Sequence, residues 1–392
     1  MIVSRQMMDY SKASSWIRKM FEEGARLKAE YGMENVFDFS LGNPDVPPPK
    51  KVIDVMGDLA SDLDTGHGYM PNAGYPQVRK VVAEYASSLY GVGLSPDDIV
   101  MSCGAGGGIN VVLKSIIAPG DEVMVISPYF VEYRFYVENY GGVLVPVECD
   151  ADFLPDPGKI KKAITERTKA IIINSPNNPT GRVYPEKILT GLQGVLAGHP
   201  DILVISDEPY RRLVYDNIQV PSILKILPKS VVVTSFSKEL SLAGERIGYI
   251  AAGAGIAEKD RFIDALILAT RILGFVNAPA LMQRVLEQCI HLSVDIGIYK
   301  RRRDLLRSIL DDLGLSYAPP EGAFYLFVKS PIGDDLAFSN ALLDENILVV
   351  PGRGFGYKGY VRFAYCVDEA TIEGAAPGLR RVVASLGEKA VI

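Results

Sequence analysis

Residues 231–248 read VVVTSFSKELSLAGERIG. The stretch opens on three valines and passes at Thr234 into a polar segment holding Lys238. Arg246 follows eight residues later. A short, unbroken β-branched run fits a strand buried on both faces, as in a parallel sheet covered by helices. Three more such runs lie upstream, at Val123–Ile126, Ala170–Ile173 and Ile202–Ile205. Each passes into a polar or turn-forming segment: SPYF (127–130), NSPNNPTG (174–181) and SDEPY (206–210). Open α/β sheets bind ligands outside the carboxyl ends of their strands. Strand pattern and order therefore predict an α/β domain in which four loops line one crevice.

Helical periodicity fills the intervals. Ile109, Val112, Leu113 and Ile116 follow the i, i+3, i+4, i+7 spacing, and Pro119-Gly120 stops that helix. Pro185 is placed to open a helix bearing Ile188, Leu189, Leu192 and Leu196. Near the N-terminus, an amphipathic helix is expected from Ser15 to about Lys28, with Ile17, Met20, Phe21 and Gly24 on one face. The last hundred residues differ. A charged helix over Tyr299–Leu313 precedes strand-like GAFYLFV (322–328), NILVV (346–350) and YVRFAY (360–365), which reads as a smaller α/β domain. The Lys300–Arg303 run within that helix reads as a solvated face.

Composition removes several classes of function. With 392 residues the chain can bury a sizeable core without disulfide or metal staples. A net charge of −6 argues against nucleic acid as a partner, because binding a phosphate backbone wants a basic face. Cys103, Cys149, Cys289 and Cys366 lie far apart with no C-x-x-C pair, so no zinc or redox pair is expected and no metal is called. No apolar run resembles a signal peptide or approaches a membrane span, which gives a cytoplasmic expectation with no membrane partner. There is no G-x-S-x-G elbow and no zinc-type histidine spacing.

The strand-end residues carry chemistry as a set. Lys238 is either a solvated surface charge or, beside a cofactor aldehyde, a Schiff-base nucleophile. Arg246 suits phosphate through its rigid fork of donors, or a surface ion pair. Asp207 is able to cap a turn or to hold a proton on a pyridine nitrogen. The Tyr210 hydroxyl and the Asn178 amide are both able to reach a ring oxygen, and the Phe130 ring to stack on an aromatic cofactor or to pack in a core. Glycines in the segment from Cys103 to Gly108 let backbone N–H groups approach a phosphate at a helix N-terminus. That segment fails the dinucleotide fingerprint, since Ile109 stands where a third glycine or alanine belongs. Arg362 sits inside an otherwise apolar strand, suited to bidentate capture of a carboxylate or lying on an exposed strand face.

Together these residues resemble the class I aminotransferases related to aspartate aminotransferase, with the fold type I architecture of pyridoxal phosphate enzymes. The resemblance runs from LGNPD, beginning at Leu41, to the strand at Arg362. Its strongest element is S-F-S-K-x7-R-x-G from Ser235 to Gly248; Asn-Pro-Thr-Gly at 178–181 and Asp-x-x-Tyr at 207–210 come in the family's order. It implies a large domain at 46–285 with a mostly parallel seven-stranded sheet flanked by helices. A smaller α/β domain is implied from the N-terminal arm, 1–45, and the C-terminal part, 286–392. The implied reaction is ping-pong transfer of an amino group between an amino acid and a 2-oxo acid, with pyridoxal 5'-phosphate as cofactor. By the resemblance, Lys238 is the Schiff-base lysine and proton shuttle. Asp207 pairs with the pyridine nitrogen, Asn178 and Tyr210 hold the ring oxygen, and Phe130 stacks on the ring. Gly104, Ala105, Ser235 and Arg246 bind the phosphate, while Gly42, Asn178 and Arg362 hold the substrate. Tyr69, in GYMPNAGYP, resembles a tyrosine that reaches the neighbouring subunit's phosphate, which implies a homodimer with shared sites.

Two departures stand out. Many members have a hydroxyl residue in the phosphate loop, where this chain has Cys103-Gly104-Ala105, and many stack tryptophan or tyrosine where Phe130 stands. Within the same fold, a carbon–sulfur β-lyase or another lyase would use the same Lys238, Asp207 and Arg362. A nicotinamide oxidoreductase and a non-catalytic ligand-binding domain are the readings from other classes. His67, Asn72 and Arg271 are the residues considered for the substrate's side chain.

Overall fold

The structure is a computed structural model and describes residues 2–12, 16–62 and 66–389. The strands in chain order are β1 (Phe37–Asp38), β2 (Ile99–Ser102), β3 (Glu122–Ser127), β4 (Val143–Glu148), β5 (Thr168–Asn174), β6 (Leu203–Asp207), β7 (Ser230–Ser235) and β8 (Gly248–Ala252). In the C-terminal part they are β9 (Tyr325–Lys329), β10 (Ile347–Leu348), β11 (Val350–Pro351) and β12 (Tyr360–Ala364). β2 to β8 form a seven-stranded sheet in the order β2-β8-β7-β6-β5-β3-β4, in which only β8 runs antiparallel to its neighbours.

The four apolar runs become β3, β5, β6 and β7, four adjacent parallel strands. Their near-continuous hydrophobicity has a direct cause, because alternate residues feed two different cores. Val123, Val125, Ala170, Ile172, Ile205, Val231 and Val233 pack toward helices Gly104–Ile116 and Lys259–Ile272. Met124, Ile126, Ile171, Ile173, Val204 and Val232 pack on the opposite face. Parallel register brings Asn174 beside Asp207 and Asp207 beside Val233, so the polar strand ends lie level.

The smaller unit combines chain from both ends. β1 pairs in parallel with β10, Phe37 opposite Ile347, and β11-β12-β9 form an antiparallel sheet. Helices Ile296–Asp312 and Glu369–Lys389 cover them, with Tyr299, Leu306, Phe324, Phe363 and Leu379 in a separate core. Helix Ala280–Cys289 crosses the expected 285/286 line. Its buried residues Met282, Val285 and Leu286 all pack into the core that holds Val52, Val55 and Val82.

Two expectations need correcting. The Lys300–Arg303 run is a solvated face only in its first half, where the side chains of Lys300 and Arg301 are 45% and 62% exposed. Arg302 and Arg303 are only 8% and 2% exposed. Arg302 meets Asp45 at 2.6 Å, and Arg303 meets Asp216 and Asp304 at 2.7 Å each. Buried cations need paired anions, and two of these stand too far away in sequence for a charge pattern to reveal them. In the N-terminal helix, Trp16–Tyr31, Gly24 and Leu27 are buried, but Phe21 is 52% exposed. Ser15 and the side chain of Ile17 lie outside the described residues. Among the described residues, no helix is long and apolar enough to cross a membrane.

Candidate active site

The carboxyl ends of β5, β6 and β7, the start of helix Gly104–Ile116 and the segment at Leu41–Gly42 enclose a cavity of about 290 Å³. Lys238, Asp207, Tyr210, Asn178, Phe130, Ala105, Ser235, Arg246, Gly42 and Arg362 all line it. Gly104 lies directly behind, with φ of 71°. A Cβ there would meet the Arg246 guanidinium at 2.6 Å, so only glycine leaves that cation its place.

Lys238 donates from Nζ to the Gly42 carbonyl at 2.7 Å. Burial takes its ammonium down from 10.5 to about 8; Cys366 opposes the change, and the positive charges of Arg362 and Arg246 reinforce it. A neutral amine is thereby accessible near neutrality, as a nucleophile or general base requires. Gly42 also needs its missing side chain, because a Cβ would run into the Tyr325 hydroxyl.

Asp207 is 6% exposed and accepts a hydrogen bond on Oδ2 from Tyr133 Oη at 2.5 Å. Its Oδ1 is buried with no hydrogen-bond partner among the described residues. Burial pushes the carboxyl up to about 7, against the Tyr133 bond and with help from Glu208. The Asn174 side chain secures the backbone by donating to the Asp207 carbonyl at 2.8 Å. A buried, unpartnered carboxylate oxygen calls for a cationic N–H.

Arg362 supplies the opposite deficit. It is 1% exposed, and among the described residues no carboxylate pairs with it. Its Nη1 donates to Asn178 Oδ1 at 3.0 Å and its Nη2 to the Ser40 carbonyl at 2.5 Å, while Nε has no partner among the described residues. The guanidinium lies over the rings of Tyr325, 4.5 Å to centroid, and Phe355, 4.8 Å. Burial lowers its pKa. The exposed-strand alternative for Arg362 is therefore overturned. With Asn178 Oδ1 occupied, the free face of that amide is its Nδ2 donor. Tyr210 Oη meets Tyr325 Oη at 2.7 Å.

Arg246 stands at the other end with φ of 53°, a conformation that non-glycine residues keep only when their surroundings impose it. Its Nη1 is held by the Ala243 carbonyl at 2.9 Å. Ser235 and the first N–H groups of helix Gly104–Ile116 accompany it.

The residues present fit pyridoxal phosphate on these grounds. There is an anion cradle at Arg246, an orphaned carboxylate oxygen for the ring nitrogen, an amide donor and a phenol for the ring oxygen, and an amine for the aldehyde. Tyr69 does not line the cavity of its own chain and is 92% exposed. His67, Asn72 and Arg271 do not line it either; Asn72 donates to the Val276 carbonyl at 2.6 Å. Sequence reasoning missed Tyr133, Asn174, Tyr325, Ser237 and Tyr136. Tyr133, Asn174 and Ser237 fall inside or beside the strand-end segments already singled out. Tyr325 carried no signal, since its alternation reads as core.

Comparison with known proteins gives the chain its family. A family model described as "Aminotransferase class I and II" matches residues 34–379. The chain is 33% identical over 351 residues to an aspartate/prephenate aminotransferase of Thermus thermophilus, covering 88% of this chain and 90% of that protein. It is 33% identical over 384 residues to an aspartate aminotransferase of Pyrococcus abyssi, with 94% and 95% covered. Among solved structures, an aminotransferase from Eubacterium rectale superposes with a TM-score of 0.94 at 37% identity, over 98% of this chain and 99% of that one.

Proposed function

Because the chain belongs to the aminotransferases of class I and II, pyridoxal phosphate enzymes that move an amino group between an amino acid and a 2-oxo acid, we propose how its own residues divide that work. The observation that carries the assignment is the pairing, in one cavity, of a lysine with a depressed pKa and a buried carboxylate oxygen without a partner. The lyase alternative is not favoured, since the relatives named above are aminotransferases.

When bound, pyridoxal phosphate supplies an aldehyde for covalent capture of amines and a ring that withdraws electrons from the substrate's α-carbon. Lys238 Nζ is its attachment point. As a free neutral amine, Nζ would be the group that takes and returns the proton at the substrate's α-carbon. Asp207 Oδ1 would hold the proton on the ring nitrogen, which would keep the ring electron-poor. Asn178 Nδ2 and Tyr210 Oη would hold the ring oxygen, and the Phe130 ring would stack on the cofactor. Arg246, Ser235, Gly104 and Ala105 receive the phosphate. Arg362 binds the substrate carboxylate, and its fixed fork orients the α-hydrogen for intramolecular transfer. Gly42, whose missing side chain leaves room for the Tyr325 hydroxyl, would join Arg362 in holding that carboxylate.

The same reading makes the enzyme a cytoplasmic homodimer in which Tyr69 reaches the partner's phosphate site; its exposure, with no part in lining its own cavity, supports this. It divides the chain into an arm at 1–45, a large cofactor-binding unit from 46 and a small C-terminal unit, with the expected 285/286 boundary moved past helix Ala280–Cys289, whose buried residues pack in the large unit's core. Lys238→Ala is the direct test. After borohydride reduction the wild type is expected to carry one covalent cofactor by mass spectrometry, and the variant none, with transamination lost. Full turnover by Lys238→Ala would sink the assignment.

A further inference from the structure

The segment from Cys103 to Gly108, the N-cap and first residues of helix Gly104–Ile116, contains no hydroxyl side chain. A phenol lies against it instead. Tyr136, on helix Glu132–Glu138, lines the cavity together with Ala105, Gly106, Ser235 and Arg246, the phosphate end of the site. A Cβ built on Gly106 would stand 2.9 Å from Tyr136 Oη but 3.7 Å from the ring carbon that bears it. The missing side chain at 106 is thus what lets the hydroxyl approach the segment. Among the described residues, that hydroxyl makes no hydrogen bond to protein, although Tyr136 lines the cavity beside the Arg246 cation. Burial raises its pKa, with Glu132 and Asp207 adding to the rise and Arg246 opposing it, so it stays a donor at any physiological pH.

We propose that Tyr136 is a cofactor-binding residue whose hydroxyl donates to the phosphate of the bound cofactor, doing for this chain what a hydroxyl in the 103–108 segment would do. Gly106 and Tyr136 then form a matched pair, a small residue making room for the donor. A phosphate oxygen carries formal charge, and hydrogen bonds to charged groups are stronger than neutral ones. The inference rests on the cofactor reading above.

Cofactor-free, full-length protein is titrated with pyridoxal phosphate and, separately, with pyridoxal, which has the aldehyde and ring but no phosphate. The visible band of the bound cofactor reports both. For Tyr136→Phe, affinity for pyridoxal phosphate is expected to fall about tenfold or more while that for pyridoxal stays unchanged. An equal loss for both aldehydes, or no loss for pyridoxal phosphate, would overturn the proposal. So would a change confined to the KM of the amino donor, because that would place the phenol on the substrate. Gly106→Ser supplies the reciprocal test. Alone it is expected to weaken pyridoxal phosphate binding, since its Cβ crowds the phenol oxygen. Combined with Tyr136→Phe it is expected to recover affinity, since the remaining contact is an ordinary one and the serine returns a hydroxyl to the segment. A double variant weaker than Tyr136→Phe would contradict the pairing. A wild type that gives no visible complex with pyridoxal phosphate would overturn the functional reading and this proposal together.

Discussion

Arg362 Nη1 donates to Asn178 Oδ1 across 3.0 Å, and this one bond decides what each residue offers the site. It uses the acceptor of the amide and leaves its Nδ2 donor to the cavity. It also fixes one edge of a buried guanidinium that has no carboxylate of its own among the described residues. Arg362→Lys keeps the charge and loses the planar fork. A fall of about 100-fold in kcat/KM for the amino donor is expected, carried mainly by KM, with affinity for pyridoxal phosphate nearly unchanged. Steady-state kinetics beside a cofactor titration reads this. An unaltered KM would remove Arg362 from substrate binding.

Lys238 has its pKa lowered to about 8 in the cofactor-free chain, chiefly by burial. Only the neutral amine attacks an aldehyde. The rate of pyridoxal phosphate capture by cofactor-free protein is therefore expected to climb as pH rises toward 8 and to level off above it. Stopped-flow absorbance from pH 6 to about 10 is the measurement. A rate still climbing at the upper end would mean that the amine behaves as an ordinary exposed lysine.

Asp207 makes a prediction about stability. Its carboxyl is raised from 3.8 to about 7 by burial, so between those values the folded chain holds a proton that the unfolded chain releases. The stability this contributes is complete below about pH 4 and is lost as pH rises through 7. Asp207→Asn removes the buried charge at nearly constant shape. In cofactor-free protein its stability advantage should grow from pH 4 to 7 and then stay level, on the order of 4 kcal/mol at most. Denaturant midpoints across that range test it. Adding pyridoxal phosphate should stabilise the wild type more than the variant, because the neutral amide cannot pair with a ring cation.

Arg303 tests the correction in the small unit. Its side chain is 3% exposed, whereas its partners Asp216 and Asp304 are 50% and 42% exposed. Removing the acids strands a buried cation; removing the cation leaves acids that water can reach. Asp216→Asn with Asp304→Asn is expected to cost about 3 kcal/mol, and Arg303→Met clearly less. The reverse order in chemical denaturation would show that Arg303 is not desolvated as its packing implies.

Tyr69 gives a test of the shared site. A Lys238→Ala subunit mixed with a subunit carrying Tyr69→Ala should yield hybrids in which one site has both residues intact and the other has neither. Such hybrids are expected to bind one cofactor tightly per dimer. Cofactor retention on dilution that simply averages the two parents would count against a tyrosine shared between subunits.

Much of the chemistry of this chain is legible in its amino-acid sequence. Four β-branched runs have to be buried on both faces, and their polar ends have to open on one side, because parallel strands point their carboxyl ends the same way. That places Lys238, Asp207, Asn178, Tyr210 and Arg246 around one crevice, and all five line one cavity in the fold. Tertiary structure alone decides which groups are left in need. Arg362 lies 184 residues from Asn178 and 322 from Ser40, and only packing brings them together. The unpartnered oxygen of Asp207 exists because Tyr133, 74 residues away, occupies the other oxygen. Arg303 reads as solvated until Asp216 folds against it, and Gly106 reads as one glycine among several until Tyr136 approaches it. Sequence periodicity reports which face of an element is buried. It carries no information about the charge, donor or ring waiting on the other side, since those belong to distant segments whose position is set by the whole core.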